Sequence, residues 1–252
     1  MDLEKVIGFI PARYASTRFP GKPLVNIGDK TMIQRVYEQA GKVLKHIYVA
    51  TDDDKIFKAV ESFGGNVIMT SPEHQSGTDR CAEAYSICET KSKKSFDVVI
   101  NIQGDEPFIE PGQIRSLIDC FNNEKTDIAT LVKPITSNEI IFDPNKPKVA
   151  IGTNGQALLF SRSPIPYIRN AEQHNWSIKH KYYQHIGMYA YRTDVLSRIT
   201  QLKPSSLELA ESLEQLRWLE NGFQIYVRET DHESIGIDTP EDLDKIKKMG
   251  LI

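Results

Sequence analysis

The chain has 252 residues, 40% of them hydrophobic, enough to bury a substantial core in one large α/β domain or two smaller ones. With 31 basic against 34 acidic residues the net charge is -3, which gives no electrostatic basis for a nucleic-acid partner. Three cysteines without a Cys-x-x-Cys spacing, no apolar run of membrane-spanning length and no basic-then-apolar leader lead us to expect a reduced, cytoplasmic, globular protein.

The apolar run Val6 to Ile10 reads as a buried first strand. It leads into Ile10-Pro11-Ala12-Arg13-Tyr14-Ala15-Ser16-Thr17-Arg18-Phe19-Pro20-Gly21-Lys22-Pro23-Leu24, a segment too rich in proline for a helix. Arg13, Arg18 and Lys22 stand there among small residues, at the carboxyl end of a strand where open α/β sheets bind ligands. Guanidinium forks and an ammonium suit phosphate oxygens, so we expect an anion site, with a solvated basic loop as the competing reading.

Gly28-Asp29-Lys30-Thr31 lacks the first glycine of a phosphate-binding P-loop and is rejected as one. Thr31 caps a helix to about Gly41 with Met32, Val36 and Ala40 on one face. Ile47–Ala50 is a second strand. Thr51-Asp52-Asp53-Asp54 caps a helix through Phe63, where acids at a helix start explain the run better than a metal does. Gly64-Gly65 ends that helix and Asn66–Met69 is a third strand. The alternation predicts a parallel, doubly wound sheet.

His74-Gln75-Ser76-Gly77-Thr78-Asp79-Arg80 precedes a helix over 78–90. Gly77 beside the helix start either exposes backbone N–H groups to a ligand or belongs to an ordinary capped loop. Phe96 to Ile102 is the clearest strand, and it runs into Gln103-Gly104-Asp105-Glu106-Pro107. An acid leaving a buried strand beside a glycine is a place to hold Mg²⁺ or a simple turn; Asp105 is the better candidate, since Glu106 is constrained by Pro107.

A helix follows over 111–121, a strand over 127–132 and a helical turn over 137–142. Then the rhythm breaks. Asn154-Gly155 between two apolar runs, 148–152 and 157–161, signals a hairpin, with Arg162 just beyond it. Residues to Lys181 form a long polar arm, and about 145–190 reads as a small inserted subdomain on the main sheet. His185–Tyr191 alternates as a strand. His180 and His185 are five apart, the wrong spacing for a helical zinc pair. Ser205 with Glu208 forms a capping-box pattern opening one helix to Gly222, with Leu209, Leu213, Leu216 and Trp218 or Leu219 inward and Glu208, Glu211 and Glu214 on a solvated face. Ile225–Val227 is a further strand. Thr239-Pro240 starts a last helix, and Asp238 before it is a turn residue or a second carboxylate for the Asp105 metal.

The stretches Ile10–Leu24, His74–Arg80, Gln103–Pro107, Phe160–Pro166, His185–Tyr191, Leu213–Arg217 and Asp238–Leu243 together resemble the 3-deoxy-manno-octulosonate (Kdo) cytidylyltransferases, the CMP-Kdo synthetases of lipopolysaccharide biosynthesis. They cover nearly the whole chain in order. The likeness to sialic acid cytidylyltransferases is weaker, because those normally carry asparagine after the loop lysine and Pro23 stands here.

The resemblance implies a Rossmann-like GT-A nucleotidyltransferase fold, a homodimer, Mg²⁺, and the reaction of CTP with Kdo to give CMP-Kdo and pyrophosphate. It implies that Arg13, Arg18 and Lys22 hold the triphosphate, that Ser16 also binds substrate, that Ser76, Gly77, Thr78, Arg80 and Gln103 surround the nucleotide, and that Asp105 and Asp238 ligate the metal. Arg162, His185, Tyr189, Glu214 and Gln215 would line the sugar site. The same chemistry on 8-amino-Kdo, or a non-catalytic nucleotide or sugar binder, are the alternatives. A third reading, a dehydrogenase-like dinucleotide binder, is disfavoured by the missing Gly-x-Gly-x-x-Gly after the first strand.

Overall fold

The computed structural model describes residues 1–15, 19–232 and 235–250. The chain divides into two compact units, residues 1–115 with 234–252 and residues 116–233.

The first unit is built on β1 (Val6–Ala12). Val6, Ile7, Phe9 and Ile10 are fully buried, as expected of a strand covered on both faces. The segments β2 (Asn26–Ile27) and β3 (Lys30–Thr31) pair as a tight antiparallel hairpin around Gly28, whose positive φ of 67° suits glycine. Then come α1 (Met32–Gly41), β4 (His46–Thr51), α2 (Asp54–Ser62), β5 (Val67–Met69), α3 (Gly77–Ser92), β6 (Val98–Asn101) and α4 (Pro111–Cys120), the last crossing into the second unit. The parallel strands lie in the order β6-β1-β4-β5.

The expected caps are present. Thr31 Oγ1 accepts from the Gln34 N–H, and Asp53 Oδ1 accepts from the N–H groups of Lys55 and Ile56. At α3 the cap is Ser76, whose Oγ accepts from the Asp79 N–H, so Gly77 is the first helical residue rather than the one before it.

The second unit contains β7 (Ile128–Ile135), α5 (Asn138–Phe142), β8 (Lys148–Ile151), β9 (Ala157–Ser161), α6 (Trp176–Lys179), β10 (Tyr182–Arg192), α7 (Thr193–Ile199), α8 (Ser206–Glu211), α9 (Gln215–Glu220) and β11 (Ile225–Glu229). Here β11 runs parallel to β7, while β10 pairs antiparallel with β7 and β8, and β8 with β9. The polar arm has its own core: Trp176 and Tyr182 pack with Ile135 and Ile141.

The single helix expected over 205–222 is two helices. Ser212 sits in the left-handed region (φ 51°, ψ 49°) and breaks it. Leu213, Leu216 and Trp218 are buried, but Leu209 is 69% exposed and faces away from the core. The capping box at Ser205 and Glu208 is present, and Glu208 also grips Arg217 through two hydrogen bonds, Oε2 to Nε at 2.7 Å and Oε1 to Nη2 at 2.5 Å. Glu208 is therefore an anchor rather than part of a solvated face.

Returning to the first unit, α10 (Pro240–Lys248) starts at Thr239 with proline in its first turn. Ile237 and Ile246 pack against Ile27 and Met32, which anchors the end of the chain beside the β2–β3 hairpin.

Candidate active site

Two groups of side chains carry chemistry, one in each unit. In the first unit, the segment after β1 folds back on itself through the Gly21 N–H, which donates to the Tyr14 carbonyl. Gly21 is left-handed (φ 72°) and its Cα faces the Tyr14 ring, and the single 3₁₀ turn Lys22–Leu24 follows. Beyond β6, Gly104 lies so close to β1 that a Cβ there would meet the Pro11 carbonyl oxygen at 2.8 Å. That close approach sets Asp105 at the carboxyl ends of β1 and β6. The Ile237 N–H donates to the Asp105 carbonyl at 3.0 Å, which brings Asp238 alongside.

The result is a clamp. Lys22 Nζ donates to Asp105 Oδ2 at 2.8 Å and to Asp238 Oδ1 at 3.0 Å. Burial works against the Lys22 charge, but the two carboxylates outweigh it and hold its ammonium above the ordinary lysine range. Arg13 is half-buried, and its Nη2 makes no hydrogen bond among the described residues. Ser16 and Arg18 lie outside the described residues.

Among the described residues, no group of three or more His, Cys, Asp or Glu side chains is placed to hold a metal ion. The donor set that fits a hard divalent cation is the Asp105–Asp238 pair: Mg²⁺ takes one or two carboxylates and fills its octahedron with water and phosphate oxygens.

At α3, Ser76 caps, Thr78 is buried, and a Cβ on Gly77 would meet Asn101 and Pro11 at 3.5 Å. Gln103 is half-buried two residues before Asp105. Arg80 is fully buried. Its Nη1 donates to Thr70 Oγ1 at 2.6 Å and its Nη2 to Asp52 Oδ2 at 3.0 Å. It therefore ties the ends of β4 and β5 together from beneath, and Asp52 serves this arginine while Asp53 does the capping. Sequence reading missed Asn101, which is 4% exposed with a buried Oδ1 that has no hydrogen bond among the described residues. Its signal was an amide closing an otherwise apolar strand.

In the second unit, β10 carries an irregularity between Ile186 and Tyr189. His185 Nε2 lies 3.0 Å from Thr130 Oγ1, and its ring meets Phe160 and Tyr189. Burial pushes the imidazole down to about 3, so it is neutral at physiological pH. Burial also raises the Tyr189 phenol well above its ordinary value, with the Tyr191 and Glu214 charges adding to the effect. The Tyr189 hydroxyl and Gln215 Nε2 are both buried without hydrogen bonds among the described residues. Trp218, one turn beyond Gln215, stacks edge-on against Tyr189. His185, Tyr189, Glu214 and Gln215 thus form an aromatic-walled group suited to a polyhydroxylated ligand, with the Tyr189 hydroxyl and Gln215 Nε2 open to it among the described residues.

Arg162 does not present a free fork to that group. Its Nε donates to the Glu211 carbonyl at 2.6 Å, Nη1 to the Pro144 carbonyl at 2.9 Å and Nη2 to the Ser212 carbonyl at 3.4 Å.

A family profile described as Cytidylyltransferase matches residues 7–235. A 3-deoxy-manno-octulosonate cytidylyltransferase of Parabacteroides distasonis is 58% identical over 245 residues, 96% of each chain. One of Bacteroides thetaiotaomicron is 60% identical over 242 residues, 95% of each. Among solved structures, a CMP:2-keto-3-deoxy-manno-octonic acid synthetase complexed with CTP superposes with a TM-score of 0.88 at 43% identity, covering 98% of both chains. A cytidylyltransferase of Leptospira borgpetersenii shares the fold at 17% identity (TM-score 0.62, 98% of this chain and 87% of that one).

Proposed function

The chain belongs to the 3-deoxy-manno-octulosonate cytidylyltransferase family, and we propose that it joins CTP and Kdo into CMP-Kdo with release of pyrophosphate, the activation of this sugar for lipopolysaccharide biosynthesis. The observation that carries this reading is the clamp of Lys22 on Asp105 and Asp238 at the end of β1. Two carboxylates that can hold a divalent cation, beside a lysine that can turn to phosphate oxygens, suit nucleotidyl transfer.

The anomeric hydroxyl of the sugar attacks the α-phosphorus and pyrophosphate leaves in line, so the work is positioning and charge neutralisation. Arg13 and Lys22, with Arg18 and Ser16, bind the triphosphate oxygens. Ser76, Gly77, Thr78 and Gln103 border the nucleoside, and Arg80 supports that surface from below. Neutral His185 with Tyr189, Glu214 and Gln215 orients the sugar hydroxyls. The family uses a divalent metal; we assign Mg²⁺ to Asp105 and Asp238, where it supplies Lewis-acid charge stabilisation when bound. We further infer one nucleotidyltransferase domain acting as a cytoplasmic homodimer. Exposed Leu158, Tyr167 and Ile178 on the second unit favour a subunit contact. No helix among the described residues is long and apolar enough to cross a membrane.

The test is pyrophosphate release with Mg²⁺, crossing CTP, UTP, ATP and GTP against Kdo, 8-amino-Kdo and sialic acid. Release with CTP and Kdo is expected, and Asp105→Asn or Asp238→Asn lowers the rate by about a hundredfold or more. Release only with 8-amino-Kdo would move the acceptor. CTP binding with no release under any pairing would overturn the enzymatic reading.

A further inference from the structure

The break between α8 and α9 is held by a hydrogen-bonded network that fixes where the next few residues stand. Glu211, the last residue of α8, accepts from Ser161 Oγ at 2.6 Å through Oε1 and from the Arg162 N–H at 2.7 Å through Oε2. Arg162 returns the grip on the Glu211 and Ser212 carbonyls. Beneath them, Lys148 is fully buried, with Nζ donating to the Asp143 carbonyl at 2.8 Å. Ser212 is a non-glycine residue in the left-handed region, a conformation that persists only where its surroundings over-determine it. Directly after it come Leu213, which is buried, then Glu214 and Gln215, whose Nε2 is buried with no hydrogen bond among the described residues.

We propose that Glu211 is a positioning residue: by fastening the Ser212 turn to the end of β9 it sets where Glu214 and Gln215 stand against Tyr189. The inference rests on the proposed sugar role of those residues. Glu211 does not touch the sugar. It acts by denying the turn the alternative of continuing α8, which would rotate Glu214 and Gln215 off the aromatic wall. An uninterrupted α-helix advances about 100° per residue, so even one residue kept in helical register changes the face that both present.

The experiment is steady-state kinetics on the full chain for both substrates. Glu211→Gln, which removes the charge and one acceptor, is expected to raise KM for Kdo about tenfold while KM for CTP stays within about twofold. Ser161→Ala, a milder cut in the same network, shifts KM for Kdo in the same direction by less. Ser212→Gly keeps the left-handed turn and leaves KM for Kdo unchanged, whereas Ser212→Val disfavours the turn and raises it. Equal losses in kcat and in both KM values would mark a general structural role and overturn the inference, as would an unchanged KM for Kdo in Glu211→Gln and Ser212→Val. Should Glu211→Gln fail to fold, Ser161→Ala and the Ser212 pair carry the same decision. Failure of the wild-type chain to turn over Kdo at all would instead remove the functional reading on which this one stands.

Discussion

Replacing Lys22 with methionine removes the cation that holds two carboxylates together and keeps the aliphatic bulk. The consequence follows from the distances. Both acceptor oxygens are bound to one Nζ, at 2.8 and 3.0 Å, so they lie within about 6 Å of each other. Asp105 and Asp238 are 32% and 49% exposed, so water screens them strongly. With an effective dielectric of about 40 to 80, their bare repulsion is about 0.7 to 1.4 kcal/mol. Loss of the two partly exposed ion pairs adds about 1 kcal/mol. The total, about 2 kcal/mol, corresponds to a drop of about 4–8 °C in Tm for a chain of this size. Thermal melts at neutral pH in a chelator should show that drop. In millimolar Mg²⁺ the variant should recover most of it, because an ion that binds only the folded carboxylate pair stabilises the fold by mass action. A variant that melts with the wild type in chelator would refute the clamp. One that melts low but gains nothing from Mg²⁺ would refute the assignment of Asp105 and Asp238 as metal ligands.

Two further outcomes follow from the buried groups. The folded value of His185, about 3, lies below its ordinary 6.5, so the unfolded chain binds this proton first. Its contribution to stability is therefore complete above pH 6.5 and is lost as the pH falls toward 3, by at most about 1.4 kcal/mol per unit. Denaturant midpoints for His185→Asn across that window should fall less steeply than those of the wild type, and parallel curves would contradict the burial of a neutral imidazole. Arg80→Met should cost about 3–5 kcal/mol, because it leaves Asp52, itself only 17% exposed, without its partner. Asp52→Asn, which keeps an oxygen acceptor, should cost less, and a wild-type urea midpoint for Arg80→Met would show that the pair contributes nothing.

Much of the fold was legible because its signals are local. A buried apolar run announced β1, and the hydroxyl and carboxylate caps at Thr31, Asp53 and Thr239 marked helix starts within three residues of the groups they serve. The cationic loop and the Gly-Asp step after β6 likewise declared their chemistry by residue type. What they could not declare was company. Lys22 meets partners 83 and 216 residues away, and the packing of Ile27, Met32, Ile237 and Ile246, with the Ile237 N–H bond to the Asp105 carbonyl, brings Asp238 to it.

Local signals also misled where tertiary contacts outweighed them. The capping box and leucine spacing predicted one helix to Gly222, yet the bonds of Ser161 and Arg162 to Glu211, 50 and 49 residues apart, accompany a turn that helical propensity disfavours. Propensity differences amount to a few tenths of a kcal/mol per residue, whereas charge-assisted hydrogen bonds contribute about 1.5–3 kcal/mol each. Arg80 and Arg162 show the same division: a guanidinium suits a phosphate or a carboxylate by its chemistry, and whether it faces a ligand or its own chain depends on burial. The amino-acid sequence by itself determined the elements, their starts and the kinds of groups available. Only the tertiary structure decided which of those groups meet, because pairing and burial are properties of contacts made across the whole chain.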